Sequence, residues 1–190
     1  TGNNSGGICG RSGGTIEYCT NYGAVRSPSF AVGGIAGELQ GGSISHCANY
    51  GNVEGTKYVG GIAGWITTAS SITNVISTGN VTETSSDNTA GMVVGKVQAA
   101  LTLSDYAVFN SDATLTLNGT AQTARGIGKI ERYYSINGSV SGKTAGYTTA
   151  QLQSGMVTYL LQSAVPEDTW GQQLGTDDYP LLGSVHTVYA

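Results

Sequence analysis

Short apolar stretches recur along the chain at an almost constant interval, separated by Gly and Asn residues. The segment GGICG begins at Gly6, and GGIAG begins at Gly33 and again at Gly60, so that the copies lie 27 residues apart. A degenerate copy, GMVVG, begins at Gly91. Runs of Ile, Val and Tyr bounded by Gly and Asn are typical of strands joined by tight turns. The pattern therefore predicts a repeat built from short strands.

A second element follows each of these segments. It reads GGTIEYCTNYGAV from Gly13, GGSISHCANYGNV from Gly41 and ASSITNVISTGNV from Ala69, and IERYYSINGSV from Ile130 is a fifth copy. Such a unit cannot bury its own apolar side chains, so successive copies must stack and pair in parallel. Stacking predicts three apolar columns, which are Ile35, Ile62 and Val93; Ile16, Ile44 and Ile72; and Val25, Val53 and Val81.

The predicted fold class is all-β, a right-handed parallel β-solenoid of about five coils over residues 1–146. Asn21 and Asn49 hold the same repeat position, and stacked Asn side chains can hydrogen-bond as a ladder. Cys19 and Cys47 also share a position, which places them on adjacent rungs within reach of a disulfide. Two free thiols that pack as small apolar groups are the preferred interpretation, and a bridge is the alternative.

From Tyr147 the pattern changes to a helical spacing of apolar residues. Thr148 and Gln151 form a capping-box sequence, and we expect a helix of about 12–15 residues after it. Residues 147–190 are therefore predicted to be a C-terminal capping segment with one helix and irregular structure. Trp170 and Tyr179 are interpreted as packing residues of this cap.

The amino-acid composition argues against several classes of function. Charged residues make up 11% of the chain, the net charge is −4 and only eight residues are Lys or Arg, which argues against nucleic-acid or anionic-membrane binding. No apolar run approaches the length of a membrane helix, about 20 residues. The chain opens inside a repeat, so we expect it to be part of a larger multidomain chain.

The string YVGGIAGW…SSITNVISTGNV resembles the GLUG-motif repeats of bacterial extracellular proteins. The resemblance covers roughly residues 5–140 and departs from the family pattern by having Ile where the name-giving motif has Leu. It implies a β-solenoid and an extracellular location, secreted or attached to the cell surface. Family members are typically adhesins, surface peptidases and glycan-active enzymes, in which the repeats look like stalks or binding modules.

Candidate catalytic chemistry is sparse. His46 and His186 lack partners at metal-ligand spacing, and His46 and Cys47, as neighbours on a strand, point to opposite faces. We therefore predict no catalytic residue, no metal site and no cofactor. Asp177 and Asp178 are interpreted as an acidic turn, with calcium binding as a weaker alternative.

Three aromatic residues are the candidate ligand-binding positions. Trp65 holds a repeat position that is filled elsewhere by Arg11 and Glu38, which predicts that it is exposed, and Tyr58 and Tyr50 are expected near it. Insertions fall in 82–90 and 110–124, and insertions in solenoids often map to a binding face. The first function hypothesis is a non-catalytic structural or adhesion module whose partner is a glycan or surface protein of a host or the environment. The alternative is a carbohydrate-binding module appended to a glycan-degrading enzyme, and an active polysaccharide-cleaving domain ranks third.

Overall fold

The computed structural model describes residues 3–133, 136–165 and 169–183, without the side chains of 133, 136 and 137. In chain order, the strands and helices are β1 (Ser5–Gly6), β2 (Cys9–Ser12), β3 (Thr15–Glu17), β4 (Thr20–Asn21), β5 (Val25–Arg26), β6 (Phe30–Gly33), β7 (Ala36–Asn49), β8 (Val53–Gly55), β9 (Lys57–Gly60), β10 (Ala63–Ser77), β11 (Val81–Glu83), β12 (Val94–Val97), β13 (Ala100–Asn110), β14 (Leu115–Leu117), β15 (Thr120–Gln122), β16 (Ile127–Ile130), β17 (Arg132–Tyr133), β18 (Ile136–Asn137), β19 (Ser139–Ser141), β20 (Thr144–Tyr147), α1 (Thr149–Gln153), α2 (Met156–Ser163), β21 (Trp170–Gly171) and β22 (Leu181–Leu182).

Three sheets form the walls of a β-solenoid, as the repeat predicts. The first has the order β1-β6-β9, the largest is centred on β7, β10 and β13, and the third runs from β5 through β8 and β11 to β14. Within these sets each strand pairs in parallel with its copy in the neighbouring coil. The stacked arrangement of the repeats is thereby confirmed.

The predicted apolar columns are also confirmed. Ile44 pairs with Ile16 on one side and Ile72 on the other, and Val53 lies between Val25 and Val81. These side chains belong to one core that passes through all the coils. Because full burial of an Ile or Val contributes about 1.5–3 kcal/mol, the columns are the main source of stability.

The solenoid has about four coils, so the prediction of about five overcounts. The fifth copy adds β16, β19 and β20 to the largest sheet only. Its remaining part forms the antiparallel pair β17–β18, and the third sheet ends in an antiparallel hairpin of β14 and β15. The turn of that hairpin has Asn118 at φ 46° and Gly119 at φ 76°, as a type I′ turn requires. The chain therefore folds back where another coil would begin.

A column of left-handed residues bends the long strands, and the sequence did not predict it. Tyr18, His46, Asn74 and Asp105 occupy this position in four successive coils, with φ between 49° and 53°. The pairing register of β10 with β13 shifts at the same place, between Thr73 and Val75. β13 has one extra residue there, which turns a strand locally, and the left-handed φ is common to all four coils. Each coil therefore makes this bend without a glycine.

The C-terminal segment begins with the predicted capping box. The Thr148 hydroxyl accepts from the backbone of Gln151, and the Gln151 side chain accepts from the backbone of Thr148. The single predicted helix, however, is two short helices, α1 and α2. Gly155 separates them in a left-handed conformation, at φ 82°, which an uninterrupted α-helix cannot contain.

Residues 149–165 and 169–183, here called the clasp, pack along the side of the solenoid. The clasp covers an apolar strip of outward-facing side chains from three successive coils, Ala48, Ile76 and Val108. Trp170 is fully buried there, and its indole nitrogen donates to the Asn74 side chain. The prediction that Trp170 and Tyr179 are packing residues is confirmed, and the strip they help to cover lies on the side of the solenoid.

Candidate ligand-binding surface

Two of the three predicted aromatic residues meet at one corner of the solenoid. The ring centroids of Tyr58 and Trp65 lie 5.2 Å apart, with 40° between the ring planes. Tyr58 has a left-handed backbone, with φ 56°. The ring of Phe30, in the preceding coil, meets Tyr58 edge-on at 6.2 Å. Aromatic pairs of this geometry contribute about 0.5–1.5 kcal/mol beyond the area they bury.

Two lysines complete the cluster. Lys96 Nζ lies 4.6 Å from the Tyr58 ring centroid and 5.9 Å from that of Trp65, and Lys57 Nζ lies 5.3 Å from Tyr58. Lys96 also forms an ion pair of 2.9 Å with Glu131. The hydrogen bond from Lys96 lowers the pKa of the Glu131 carboxyl, so this carboxyl is ionised at neutral pH. Phe30, Lys57, Tyr58, Trp65 and Lys96 together are called the aromatic platform below.

The sequence predicts that the repeat position of Trp65 is exposed, but the exposure of its residues differs from coil to coil. Glu38 at this position is only 2% exposed, because its carboxylate accepts hydrogen bonds from Arg11 and the Thr67 hydroxyl, both at 2.9 Å. Trp65 itself is half-buried. Its indole nitrogen is buried without a hydrogen-bond partner among the described residues. The residues in register here are Arg11, Glu38, Trp65 and Lys96.

Tyr50 does not join the platform, so the expectation that it lies near Trp65 is wrong. Its ring stacks between Tyr22 and Tyr179, with centroids at 5.1 Å and 6.1 Å. Its hydroxyl donates to the carbonyl of Pro180, and burial raises its pKa. Tyr50 is therefore a contact between the solenoid and the clasp.

Comparison with known proteins identifies the repeat that contains Tyr58 and Trp65. The family model of the GLUG motif matches residues 55–82, which include Tyr58 and Trp65. The chain carries a GLUG motif. The resemblance seen in the sequence is thereby confirmed. No curated protein sequence gave a match.

One solved structure resembles nearly the whole chain. It is a crystal structure of a "putative immunoglobulin A1 protease" from Bacteroides ovatus, with a TM-score of 0.65 and 24% sequence identity. The match covers 93% of this chain and 52% of the other, so this chain spans about half the length of that protein. At this identity the likeness shows a shared fold.

In the described residues, no helix is long and apolar enough to cross a membrane.

Lys57 is the cation of the platform that lies inside the GLUG motif, and Lys96 comes from the next coil. Sequence reasoning missed both. The signal for Lys96 is its repeat position, because GMVVGK places Lys96 where GGIAGW places Trp65. No comparable signal exists for Lys57, whose approach to the Tyr58 ring depends on the left-handed turn at Tyr58.

The Cys47 thiol faces the core beside the GLUG coil. It is fully buried, and burial raises its pKa to about 12. The neighbouring His46 ring lies outside the core, stacked on Tyr18 at a centroid distance of 4.9 Å. All three cysteines are free, which agrees with the preferred interpretation of Cys19 and Cys47.

The predicted ladder of Asn side chains is also present, since Asn21 Nδ2 donates to Asn49 Oδ1 at 2.7 Å.

The candidate calcium ligands lie in the clasp. Asp177 accepts from the backbone of Gln173 at 2.6 Å, and Asp178 accepts from the Gln153 side chain at 3.0 Å. Both contacts are those of a hydrogen-bonded acidic turn, and calcium binding there stays a prediction. Within residues 3–133, 136–165 and 169–183, no three His, Cys, Asp or Glu residues are arranged to hold a metal ion. His186 lies outside these ranges.

Proposed function

We propose that this chain is a non-catalytic structural and adhesive module of an extracellular bacterial protein. The observation that carries the proposal is the single apolar core that passes through all the coils, with the clasp fastened across three of them. Stacked repeats of this kind form extended bodies with long lateral surfaces. Such a body is suited to hold a binding surface away from its attachment point.

The extracellular location rests on the GLUG motif and on the resemblance to bacterial surface proteins. The Bacteroides ovatus structure extends well beyond the part that this chain matches. The greater length of that protein is consistent with a module that works within a larger multidomain chain. The partner of the module is then a glycan or a surface protein of a host or of the environment.

Several groups that could act in catalysis have structural contacts instead. Cys47 is buried as a neutral thiol, and the carboxylates of Glu38 and Glu83 are buried in hydrogen bonds with neighbouring loops and strands. A buried carboxylate with its acceptor sites occupied is poorly placed to receive a proton from a substrate or to attack it. These contacts support a non-catalytic role.

Incubation of the chain with immunoglobulin A1, mucin and plant polysaccharides tests this role. We expect no cleavage products by gel electrophoresis and no new reducing ends, while the labelled chain is retained on at least one of these materials when it is immobilised. The heat-denatured chain is the control for retention. Cleavage that increases with time and co-purifies with the chain would show that the non-catalytic assignment is wrong.

Carbohydrate binding by the aromatic platform is the second candidate function. The paired rings of Tyr58 and Trp65 favour it, because aromatic rings stack on the apolar faces of sugars and Lys57 and Lys96 hold the ring positions. The half-buried state of Trp65 leaves part of the cluster open to a ligand.

A glycan array that includes mucin and plant polysaccharides separates the two candidates. If the platform binds sugar, Trp65→Ala should weaken binding by about tenfold or more, equivalent to the loss of about 1.4 kcal/mol. Tyr22→Ala, which removes an aromatic ring that is 67% exposed elsewhere on the solenoid, should leave the affinity unchanged. Equal affinities of the Trp65→Ala variant and the original chain would exclude the platform as the sugar site. Absence of binding to every glycan would favour a stalk or a protein-directed adhesin.

A further inference from the structure

The two insertions of the repeat meet in space and line an open polar cleft of about 260 Å³. One wall is the loop that follows β11, and the other is the hairpin of β14 and β15. The cleft shares no residue with the aromatic platform. Its lining consists of Ser86, Asn88, Leu117, Asn118, Thr120 and Gln122.

The hairpin wall is held in a defined position. Leu117 pairs with Thr120 across the turn, and Leu115 pairs with Gln122. The backbone N–H of Asn118 donates to the carbonyl of Glu83 at 2.8 Å, which ties the turn to the sheet. Thr120 and Gln122 are exposed on the antiparallel strand that ends this sheet. Their side chains are therefore presented by a short, well-anchored strand.

The loop wall is anchored by a buried carboxylate. Glu83 is fully buried, and its oxygens accept from the backbone N–H of Thr89 at 3.1 Å and from the Thr89 hydroxyl at 2.6 Å. A buried charge is costly unless hydrogen bonds compensate it. Here those bonds close the loop from 84 to 88 and fix Asn88, whose φ is 60°. A wall that is already ordered loses little entropy when a ligand binds.

The lining carries no charged side chain. Two adjacent charged residues have contacts of their own, since Asp87 lies 4.0 Å from Lys57 and the Arg125 guanidinium donates to the backbone carbonyls of Asn88 and Ala90. The side-chain amides of Asn88, Asn118 and Gln122 have no hydrogen-bond partner among the described residues and are exposed. Each amide offers both donors and an acceptor, which matches a hydroxyl group. This combination suits an uncharged ligand rich in hydroxyl groups.

We propose that this cleft binds a neutral saccharide, at a site separate from the aromatic platform. The amides of Asn88, Asn118 and Gln122 then hydrogen-bond to sugar hydroxyls. The proposal assigns a function to the two insertions, which the coil architecture itself does not require.

Two substitutions remove two of the three amides and keep the backbone conformation. Asn88→Gly and Asn118→Gly place glycine at φ 60° and 46°, conformations that glycine adopts without a steric cost. The hydrogen bond from Arg125 to Asn88 reaches the backbone carbonyl, so the variant retains it. Asp105→Gly is the matched control, because Asp105 is also exposed and left-handed, with φ 53°, and it lies outside the cleft.

The test is isothermal titration of the whole chain with neutral hexasaccharides of β-1,4-glucan, β-1,4-xylan, β-1,4-mannan and α-1,4-glucan. We expect at least one to bind with a Kd of about 1 mM or tighter. The Asn88→Gly/Asn118→Gly double variant should weaken this binding by about tenfold or more, since the ligand loses the hydrogen bonds of two side chains. The Asp105→Gly variant should retain the affinity, and Trp65→Ala is measured beside it to separate this cleft from the aromatic platform. Matching circular dichroism spectra establish that each variant is folded.

Three results would overturn the proposal. The first is the absence of heat from all four hexasaccharides at about 10 mM, well above the expected Kd. The second is binding that Trp65→Ala abolishes and the double variant leaves intact, which would place the sugar on the aromatic platform. The third is preferential binding of acidic oligosaccharides or of peptides over the neutral panel, with the same dependence on Asn88 and Asn118.

Discussion

Replacement of Trp170 by Ala is expected to lower the free energy of unfolding by about 3–5 kcal/mol, the usual cost of emptying a large aromatic site. Trp170 is completely buried between the clasp and the side of the solenoid. The substitution also leaves the fully buried Asn74 side chain without its donor, which places the expected loss toward the upper end of this range. The loss is comparable to the whole stability of a marginal domain, about 5–15 kcal/mol.

Urea unfolding followed by circular dichroism measures this effect. Trp170→Phe is the matched control, because it keeps most of the ring volume and removes the indole nitrogen, so it should cost clearly less than Trp170→Ala. Asn74→Ala combined with Trp170→Phe should cost less than the sum of the two single changes, since both remove the same hydrogen bond. A cost below about 1 kcal/mol for Trp170→Ala would mean that the clasp contributes little to stability.

The place where Trp170 packs was only partly foreseeable. Its role as a packing residue follows from its size and from the change of pattern after Tyr147. The covered strip also has a sequence signal, because Ala48, Ile76 and Val108 each follow a core residue and must face outward. An apolar residue on the outer face in three successive coils requires a cover. What the sequence does not show is which segment supplies it, since that depends on how the chain returns from the last coil.

The coil architecture was predictable because it depends on residue type at fixed spacing. Ile16, Ile44 and Ile72 identify the core column from position alone, and the structure pairs them in register. The number of coils was not predictable in the same way. It depends on the turn at Asn118 and Gly119, where two positive φ values reverse the chain. A local turn preference there outweighs a weak repeat signal.

The candidate site shows the same limit. Tyr58 and Tyr50 look alike in the sequence, as aromatic residues close to a glycine corner. Tyr58 meets Trp65 because both lie at the same corner of one coil, whereas Tyr50 lies at another corner, where the clasp covers it. Repeat position indicates which residues share a column along the solenoid. It does not indicate which columns face each other around a coil.

Replacement of Gly60 by Ala is expected to destabilise the solenoid by about 3 kcal/mol or more, at the upper end of the cost of overpacking. A Cβ atom at Gly60 would lie 1.9 Å from the carbonyl oxygen of Ala63 and 2.7 Å from the backbone nitrogen of Gly95. Both are backbone atoms, and Gly95 belongs to the next coil. Relief of both contacts requires the turn from Gly60 to Ala63 to open and the two coils to move apart, which weakens the parallel pairing between them. Thermal unfolding by circular dichroism should show a lowered midpoint.

Gly14→Ala is the internal control for this experiment. A Cβ atom at Gly14 meets nothing within 4 Å, so this variant should stay within about 0.5 kcal/mol of the original chain. The contrast matters because both glycines belong to the repeat and look equivalent by composition. If Gly60→Ala were as stable as Gly14→Ala, the close approach of the coils at this corner would be wrong. If both were strongly destabilising, the cost would come from the loss of glycine itself and not from the contact with Ala63.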